Sequence, residues 1–194
     1  NYPNRPEGFI AAGRLALEKG DVSFAAELLT PAAKTFPENA DVLFLLSEAL
    51  SSADHEQSVA LLQKTLEINP NFYPSLLKIA ERAIDAEDYE GALKTLDQVL
   101  AVNPHHPEAH ALRAVIHHVR NEADQATASR DSALKFSVAD PKVDHLIGRK
   151  LSQKYRFREG ASFQRKAIEA GPEFVPARIQ LAQDLLRLGE EAEG

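Results

Sequence analysis

Hydrophobic and polar residues follow one another along the chain with the spacing of short amphipathic helices. The pattern is clearest from Tyr73 to Pro104, where two apolar runs flank the polar pair Glu87-Asp88 and Asn-Pro closes the stretch. Within each run the apolar residues fall on one face of a helix; they are Leu76, Ile79, Ala80 and Ala83, then Ala92, Leu96, Val99 and Leu100. Neither run is long enough to bury its apolar face alone, so the pattern predicts paired helices that pack against neighbouring pairs.

The same pattern recurs along most of the chain. A small residue lies midway along each first helix, at spacings of 34, 33, 34, 34 and 34 residues. We call these the reference residues: Gly13, Ser47, Ala80, Ala114, Gly148 and Ala182. In the same register a proline follows the second helix, as Pro37, Pro70, Pro104 and Pro172, with Val138 at the corresponding place in the fourth copy. Small residues at fixed places predict close helix crossings, and the prolines predict helix ends.

This register resembles the tetratricopeptide repeat, a helix–turn–helix unit of 34 residues. The resemblance implies an all-α fold, a right-handed superhelical solenoid of antiparallel helix hairpins, built as a single array over residues 1–194. The repeats would span about 6–39, 40–72, 73–106, 107–140 and 141–174, with a partial sixth at 175–194. Since the sixth repeat lacks its second helix, we expect the natural chain to continue past Gly194.

The fourth and fifth repeats depart from the apolar positions of the family. The departures are His110, Asp144 and Arg178 in first helices, and Arg130 and Gln164 in second helices. We therefore expect these repeats to pack differently or to use other apolar side chains instead, namely Leu112, Val115, Phe136 and Phe163.

Composition argues against several classes of function. A net charge of −7 disfavours nucleic-acid binding, which depends on a basic surface. No apolar run approaches the roughly 18 residues that predict a membrane span, and the absence of cysteine excludes thiolate chemistry. His106 and His110 do not form the H-E-x-x-H pattern of zinc proteases, and His110 and His117 lie in core-facing positions typical of packing histidines. The sequence predicts no catalytic residue, metal site or cofactor.

The face of each first helix opposite its buried face carries the candidate binding residues. It holds the residues six and three before the reference residue and one and five after it, at about 100° per residue. In tetratricopeptide arrays this face lines a concave groove, so we call it the groove face. The candidate ligand residues are Ile10, Arg14, Phe44, Glu48, Leu77, Glu81, Asp85, Val115, Val119, His145, Arg149 and Arg187. Alternatively, the apolar row Ile10, Phe44 and Leu77 fills the space between adjacent first helices.

Charge is distributed unevenly along the chain. Residues 1–100 carry 8 Lys and Arg against 16 Asp and Glu, whereas residues 101–194 carry 14 against 13. Eight basic residues cluster within one short stretch: Lys142, Arg149, Lys150, Lys154, Arg156, Arg158, Arg165 and Lys166. This cluster is either a docking site or a solvated surface.

The sequence favours a non-enzymatic scaffold that binds a peptide or protein segment in the groove, and not nucleic acid or a membrane. The Lys and Asn clamp with which some family members bind a C-terminal carboxylate is missing, because Ile10/Arg14, Phe44/Glu48 and Leu77/Glu81 stand in its places. One alternative is self-assembly into a homo-oligomer through the groove or the open C-terminal end. Another is the repeat region of a larger enzyme, since residues 146–191 resemble repeats of large bacterial proteins that carry a metalloprotease-like domain elsewhere in the chain.

Overall fold

The computed structural model describes residues 5–137 and 139–189, and within them it contains eleven helices and no strand. The helices are α1 Pro6–Glu18, α2 Val22–Thr35, α3 Ala40–Leu50, α4 His55–Ile68, α5 Tyr73–Asp85, α6 Tyr89–Val102, α7 Pro107–Val119, α8 Ala123–Leu134, α9 Pro141–Gln153, α10 Phe157–Ala170 and α11 Val175–Leu188.

Two compact bodies divide the chain, Asn1–Ile79 and Ala80–Gly194, and the division falls within α5. In the N-terminal body α1 packs on α2, α3 packs on α4, and α2 packs on α3. In the C-terminal body α7 packs on α8, and α10 packs on both α9 and α11. Each body is therefore made of helical hairpins that pack against their neighbours. The boundaries of the six repeats remain a prediction.

The turns within the hairpins lie where the polar breaks of the sequence predict them. A residue in the left-handed region ends α1, α5, α7 and α9: Gly20, Glu87, Asn121 and Tyr155, with φ of 75°, 64°, 59° and 61°. The following amide donates to the carbonyl five residues earlier, as in Asp21 N to Ala16 O at 2.9 Å, which is the Schellman closure of a helix end. The second repeat is one residue shorter, and its α3–α4 turn closes instead through Asp54 N and Leu50 O at 2.8 Å.

Prolines mark the ends of the second helices as predicted. Helices α2, α4, α6 and α10 each stop two residues before Pro37, Pro70, Pro104 and Pro172, because the residue before proline is driven out of the helical region. Helix α8 ends at Leu134, while Val138 and Glu190–Gly194 lie outside the described residues.

The small reference residues are buried at close helix crossings. Ala80 and Ala114 have no exposed surface. A Cβ placed on Gly148 of α9 would lie 2.8 Å from the carbonyl oxygen of Gly160 in α10, so these two helices approach each other almost backbone to backbone. Three of the four expected replacement core residues, Leu112, Val115 and Phe163, are buried. The expectation for Phe136 is wrong, since it is 72% exposed and its ring contacts His105.

Candidate functional site

In the N-terminal body the apolar residues of the groove face largely fill space between helices. Ile10 of α1 and Phe44 of α3 are half-buried and pack against the core cluster. The Phe44 ring meets Phe72 edge-on, with 5.8 Å between ring centroids. Leu77 is only 5% exposed. A ligand on this body would therefore reach the edges of Ile10 and Phe44 but little of Leu77.

The charged candidates of this body differ in how far they are already paired. Glu48 of α3 pairs with Lys78 of α5 at 3.1 Å, and both side chains are more than two-thirds buried. Arg14 of α1 stays exposed and lies 3.9 Å from the Asp41 carboxylate, too far for a strong ion pair. Arg14 is therefore the charge on this surface that is more accessible to a partner.

In the C-terminal body the groove-face charges of α5 and α9 pair with each other. The Lys150 Nζ atom lies 3.0 and 3.1 Å from the two Asp85 carboxylate oxygens and 3.7 Å from Glu81. Arg149 reaches the same Glu81 Oε1 at 3.4 Å. Lys154 donates to the Asp85 main-chain oxygen at 2.9 Å and so caps the end of α5. The structure thus brings together Glu81, Asp85 and Arg149, three of the predicted site residues.

These ion pairs connect first helices that are two repeats apart. Glu81 and Arg149 are separated by 68 residues, twice the repeat length, and α7 lies between α5 and α9 in the sequence. On α7, Val115 has no exposed surface and Val119 is half-buried, although both belong to the groove face. The C-terminal half of this face is therefore closed, and Val115 offers no surface to a ligand.

Much of the basic cluster is used within the protein. Besides Lys150 and Lys154, Arg156 donates to the main-chain oxygen of His118 and, at 3.1 Å, to Asn121 Oδ1 at the end of α7. Three members of the cluster remain exposed: Lys142, Arg158 and Lys166. The cluster as a whole is thus neither a free docking patch nor merely solvated.

The N-terminal half of the same face remains open. Between the first turns of α7 and α9 lies a cavity of about 360 Å³. Its apolar wall is formed by Ala111, Val143 and Leu146, and its polar rim includes Glu108 and Lys142. Glu108 and Lys142 both occupy the position six residues before the reference residue, and Ala111 the position three before, so the cavity belongs to the groove face. It is the size of a small-ligand pocket.

The residues that depart from the family pattern pair with one another. Asp144 is 2% exposed, and its carboxylate accepts two hydrogen bonds from Arg130, from Nε at 2.6 Å and Nη2 at 2.7 Å. The hydrogen bond to Asp144 raises the pKa of Arg130. A charged pair thus replaces an apolar contact between α8 and α9. Sequence reasoning recognised both departures but not their pairing.

Two further buried polar contacts follow in the fifth and sixth repeats. His145 Nδ1 lies 2.9 Å from Oε1 of the fully buried Gln164. Asp184 of α11 is 1% exposed and accepts hydrogen bonds from Ser152 at 2.8 Å and Gln180 at 2.9 Å. Burial raises the pKa of Asp184, and these two hydrogen bonds oppose that rise. His145, a predicted ligand residue, therefore also orients a core side chain.

We expect the protein to lose stability as the pH falls below neutrality because of its half-buried histidines. Burial lowers the pKa of His145, and the hydrogen bond with Gln164 opposes this only in part. Below the ordinary value of about 6.5 the unfolded chain binds a proton that the folded state refuses, so acidification favours unfolding. The melting temperature should therefore fall between about pH 7.5 and 5.5, and less so in His145→Asn.

The same pH dependence in His145→Asn as in the wild type would contradict this assignment. Asp184 acts in the opposite sense at more acidic pH. Its raised pKa means that the folded state binds the proton more tightly than the unfolded chain, so its contribution to stability is present at low pH and lost as the pH rises.

The histidines that raised the question of a metal have other partners. His117 Nδ1 lies 2.6 Å from Glu122 Oε2, and His110 Nε2 lies 2.9 Å from the main-chain oxygen of Pro104. Within residues 5–137 and 139–189, no three His, Asp or Glu side chains are grouped as a metal would require. No helix in these ranges is long and apolar enough to cross a membrane.

The last groove-face candidate, Arg187, lies on α11. It is exposed and borders a cavity of about 620 Å³ together with Gln183, Leu186 and Phe157. Its neighbour Ile179, at the apolar-row position of α11, is 55% exposed. Arg187 is not joined to the ion pairs of α5 and α9.

Comparison with solved structures defines the class of protein first. A thermophilic TPR protein of Thermus thermophilus superposes with a TM-score of 0.73 over 94% of this chain and 100% of its own, at 20% identity. Pseudomonas aeruginosa pilF gives 0.66 over 95% and 84%, at 14% identity. MamA from Desulfovibrio magneticus gives 0.59 over 87% and 96%, at 18% identity. At these identities the likeness shows the fold alone, an all-α solenoid of helical hairpins.

The family follows from the sequence itself. Two sequence profiles described as tetratricopeptide repeat match the chain, one at residues 49–116 and 83–149 and the other at 10–71. The chain belongs to the tetratricopeptide repeat family, whose members generally mediate protein–protein interactions and are typically non-catalytic. No curated protein sequence matched the chain.

Proposed function

We propose that this chain is a non-catalytic scaffold that binds a peptide or protein segment on the groove face of its first helices. The observation that carries the proposal is the cavity between α7 and α9, which combines an apolar wall with a polar rim. Such a pocket accepts one apolar side chain while rim groups orient the main chain around it. Removing that side chain from water contributes about 1–3 kcal/mol to binding.

The closed half of the face fixes where the segment enters. The pairs Lys150–Asp85 and Arg149–Glu81 occupy the C-terminal half, and separating them would leave the Lys150 side chain, which is 4% exposed, without its carboxylate. Because an unpaired buried charge is costly, a ligand gains more by leaving these pairs intact. The apolar anchor therefore enters beside Glu108 and Lys142, and the ion pairs form one wall of its site.

In the N-terminal body the exposed edges of Ile10 and Phe44 offer a second apolar contact, with Arg14 beside it. The accessible charges Arg14, Lys142 and Arg187 attract acidic residues of the partner. Since they lie on open surface, they govern the rate and orientation of association more than affinity, and salt weakens their effect.

Peptides selected from a phage-displayed random library provide the test. We expect a selected peptide to bind the wild-type protein and to lose at least tenfold in affinity, by fluorescence anisotropy, when the rim charge is reversed in Glu108→Lys or Lys142→Glu. Asp124→Lys is the matched control, because Asp124 lies in the first turn of α8 as Glu108 does in α7. Phe44→Ala reports separately on the N-terminal body.

Equal losses in Asp124→Lys and Glu108→Lys would contradict the proposal, because the effect would then follow net charge and not the cavity. Unchanged affinity in both rim variants would place the binding surface elsewhere. Arg149→Glu is a poor probe of the groove, since it sets a second carboxylate beside Glu81 and weakens the fold.

A further inference from the structure

Helix α1 exposes a face that other first helices bury. Ala11 and Leu15 lie two residues before and after the reference residue Gly13; Ala11 is exposed and Leu15 is 56% exposed. The equivalent residues of α3, Leu45 and Ala49, are 5% and 4% exposed and belong to the cluster that includes Leu29 of α2. This is therefore the face that a first helix turns toward the preceding hairpin.

The same positions are buried in the C-terminal body. On α7 they hold Leu112 and Ile116, neither of which has any exposed surface. The exposure on α1 is thus specific to the first repeat. Around Ala11 and Leu15 the surface of α1 forms a shallow cavity of about 380 Å³.

Helix α11 exposes a different face. Ile179 and Leu186, three residues before and four after the reference residue Ala182, are 55% and 73% exposed. At the same two positions of α1 stand Ile10 and Leu17, which pack against the cluster that contains Leu45 and Ala49 of α3. This is the face that a first helix turns toward the following hairpin.

We propose that these two faces bind each other between copies of this chain, with Ile179 and Leu186 of one copy packing against Ala11 and Leu15 of the next. The contact continues the interface that α1 and α3 already make within the N-terminal body. The apolar positions that meet between copies are the same as those that meet in the core cluster. This goes beyond groove binding, since neither face includes the cavity between α7 and α9.

Such a contact joins two different faces, so every copy keeps one free face of each kind after binding. The average mass should therefore increase steadily with concentration and not stop at a dimer. A single helix laid on another buries little surface, which places the association at roughly 10–500 µM.

Sedimentation equilibrium of the 194-residue chain over that range tests the proposal. We expect the wild type to associate, and both Leu15→Glu and Leu186→Glu to remain monomeric, since each removes one of the two faces. An equimolar mixture of the two variants should form a dimer and nothing larger, because one variant keeps the α1 face and the other keeps the α11 face. Val102→Glu, at a residue 55% exposed on α6, should associate like the wild type.

Three results would overturn the proposal. The first is a wild-type protein that is monomeric over the whole range. The second is association that persists in Leu15→Glu and is lost in Leu186→Glu, which would mean that α11 pairs with itself. The third is a mixture of the two variants that stays monomeric. Thermal melts by circular dichroism confirm that each variant is folded.

Discussion

Asp144→Ala is expected to lower the free energy of unfolding by about 2–3 kcal/mol. Its carboxylate is nearly fully buried and accepts both hydrogen bonds of Arg130. Breaking a buried pair costs about 3–5 kcal/mol, because the remaining charge is left unpaired. The Arg130 side chain is 25% exposed and recovers some hydration, which puts the expected loss at the lower end. Urea denaturation at neutral pH measures it.

Two further variants make the measurement specific. Asp131→Ala removes an exposed carboxylate that lies 4.0 Å from the same guanidinium, and it should cost less than about 0.5 kcal/mol. The double variant Arg130→Met with Asp144→Leu restores the apolar contact of the earlier repeats, and it should recover most of the loss. If Asp144→Ala were no less stable than Asp131→Ala, the pair would not replace the missing apolar contact.

Gly148→Ala is expected to cost about 1–3 kcal/mol even though alanine is the better helix former. Its new methyl group would lie 2.8 Å from the Gly160 carbonyl oxygen and 3.0 Å from Phe163 Cβ, closer than such atoms approach in folded proteins. Because one of these neighbours is backbone, relief requires that α9 and α10 move apart. Chemical denaturation of the variant, read by far-ultraviolet circular dichroism, gives the cost.

Gly8→Ala is the matched control for this steric argument. Gly8 also lies within a first helix, α1, but nothing lies within 4 Å of the position its Cβ would take. Only helix propensity then acts, and it should stabilise the protein by up to about 1 kcal/mol. Shifts of the same sign and size in both glycine variants would mean that the contact between α9 and α10 is not as close as the structure has it.

The sequence predicts the fold closely because the repeat makes each element visible several times. One polar break in a single copy, such as Glu87-Asp88, would be weak evidence for a turn. The same break at Gly20, Asn121 and Tyr155 in one register identifies the position, and all four residues adopt the left-handed conformation. The end of each second helix is equally predictable, since proline restricts the residue before it.

The candidate site is less predictable because helical periodicity assigns a face without showing what else reaches it. Val115 lies on the groove face as expected, yet it is buried in a region where α5 and α9 are joined by ion pairs. A signal for this existed in the sequence: Glu81 and Arg149 occupy equivalent positions two repeats apart and carry opposite charge. Comparing charges across two repeat lengths would have suggested the pairing.

The compensation between Arg130 and Asp144 was hidden for a related reason. Each residue breaks an apolar position of the family when judged alone, and only the packing of α8 on α9 shows that the two side chains meet. Equally, the open half of the groove face depends on how far apart the first turns of α7 and α9 lie. Hydrophobic patterning carries no information about that distance.

The most direct test of the proposed function is amide chemical-shift mapping of a library-selected peptide on the isotopically labelled chain. We expect the largest shifts at Glu108 and Ala111 of α7 and at Lys142 and Leu146 of α9, with smaller ones at the ion-paired residues Arg149 and Lys150. Shifts centred on the second helices α8 and α10, with none in the first turns of α7 and α9, would contradict binding on the groove face.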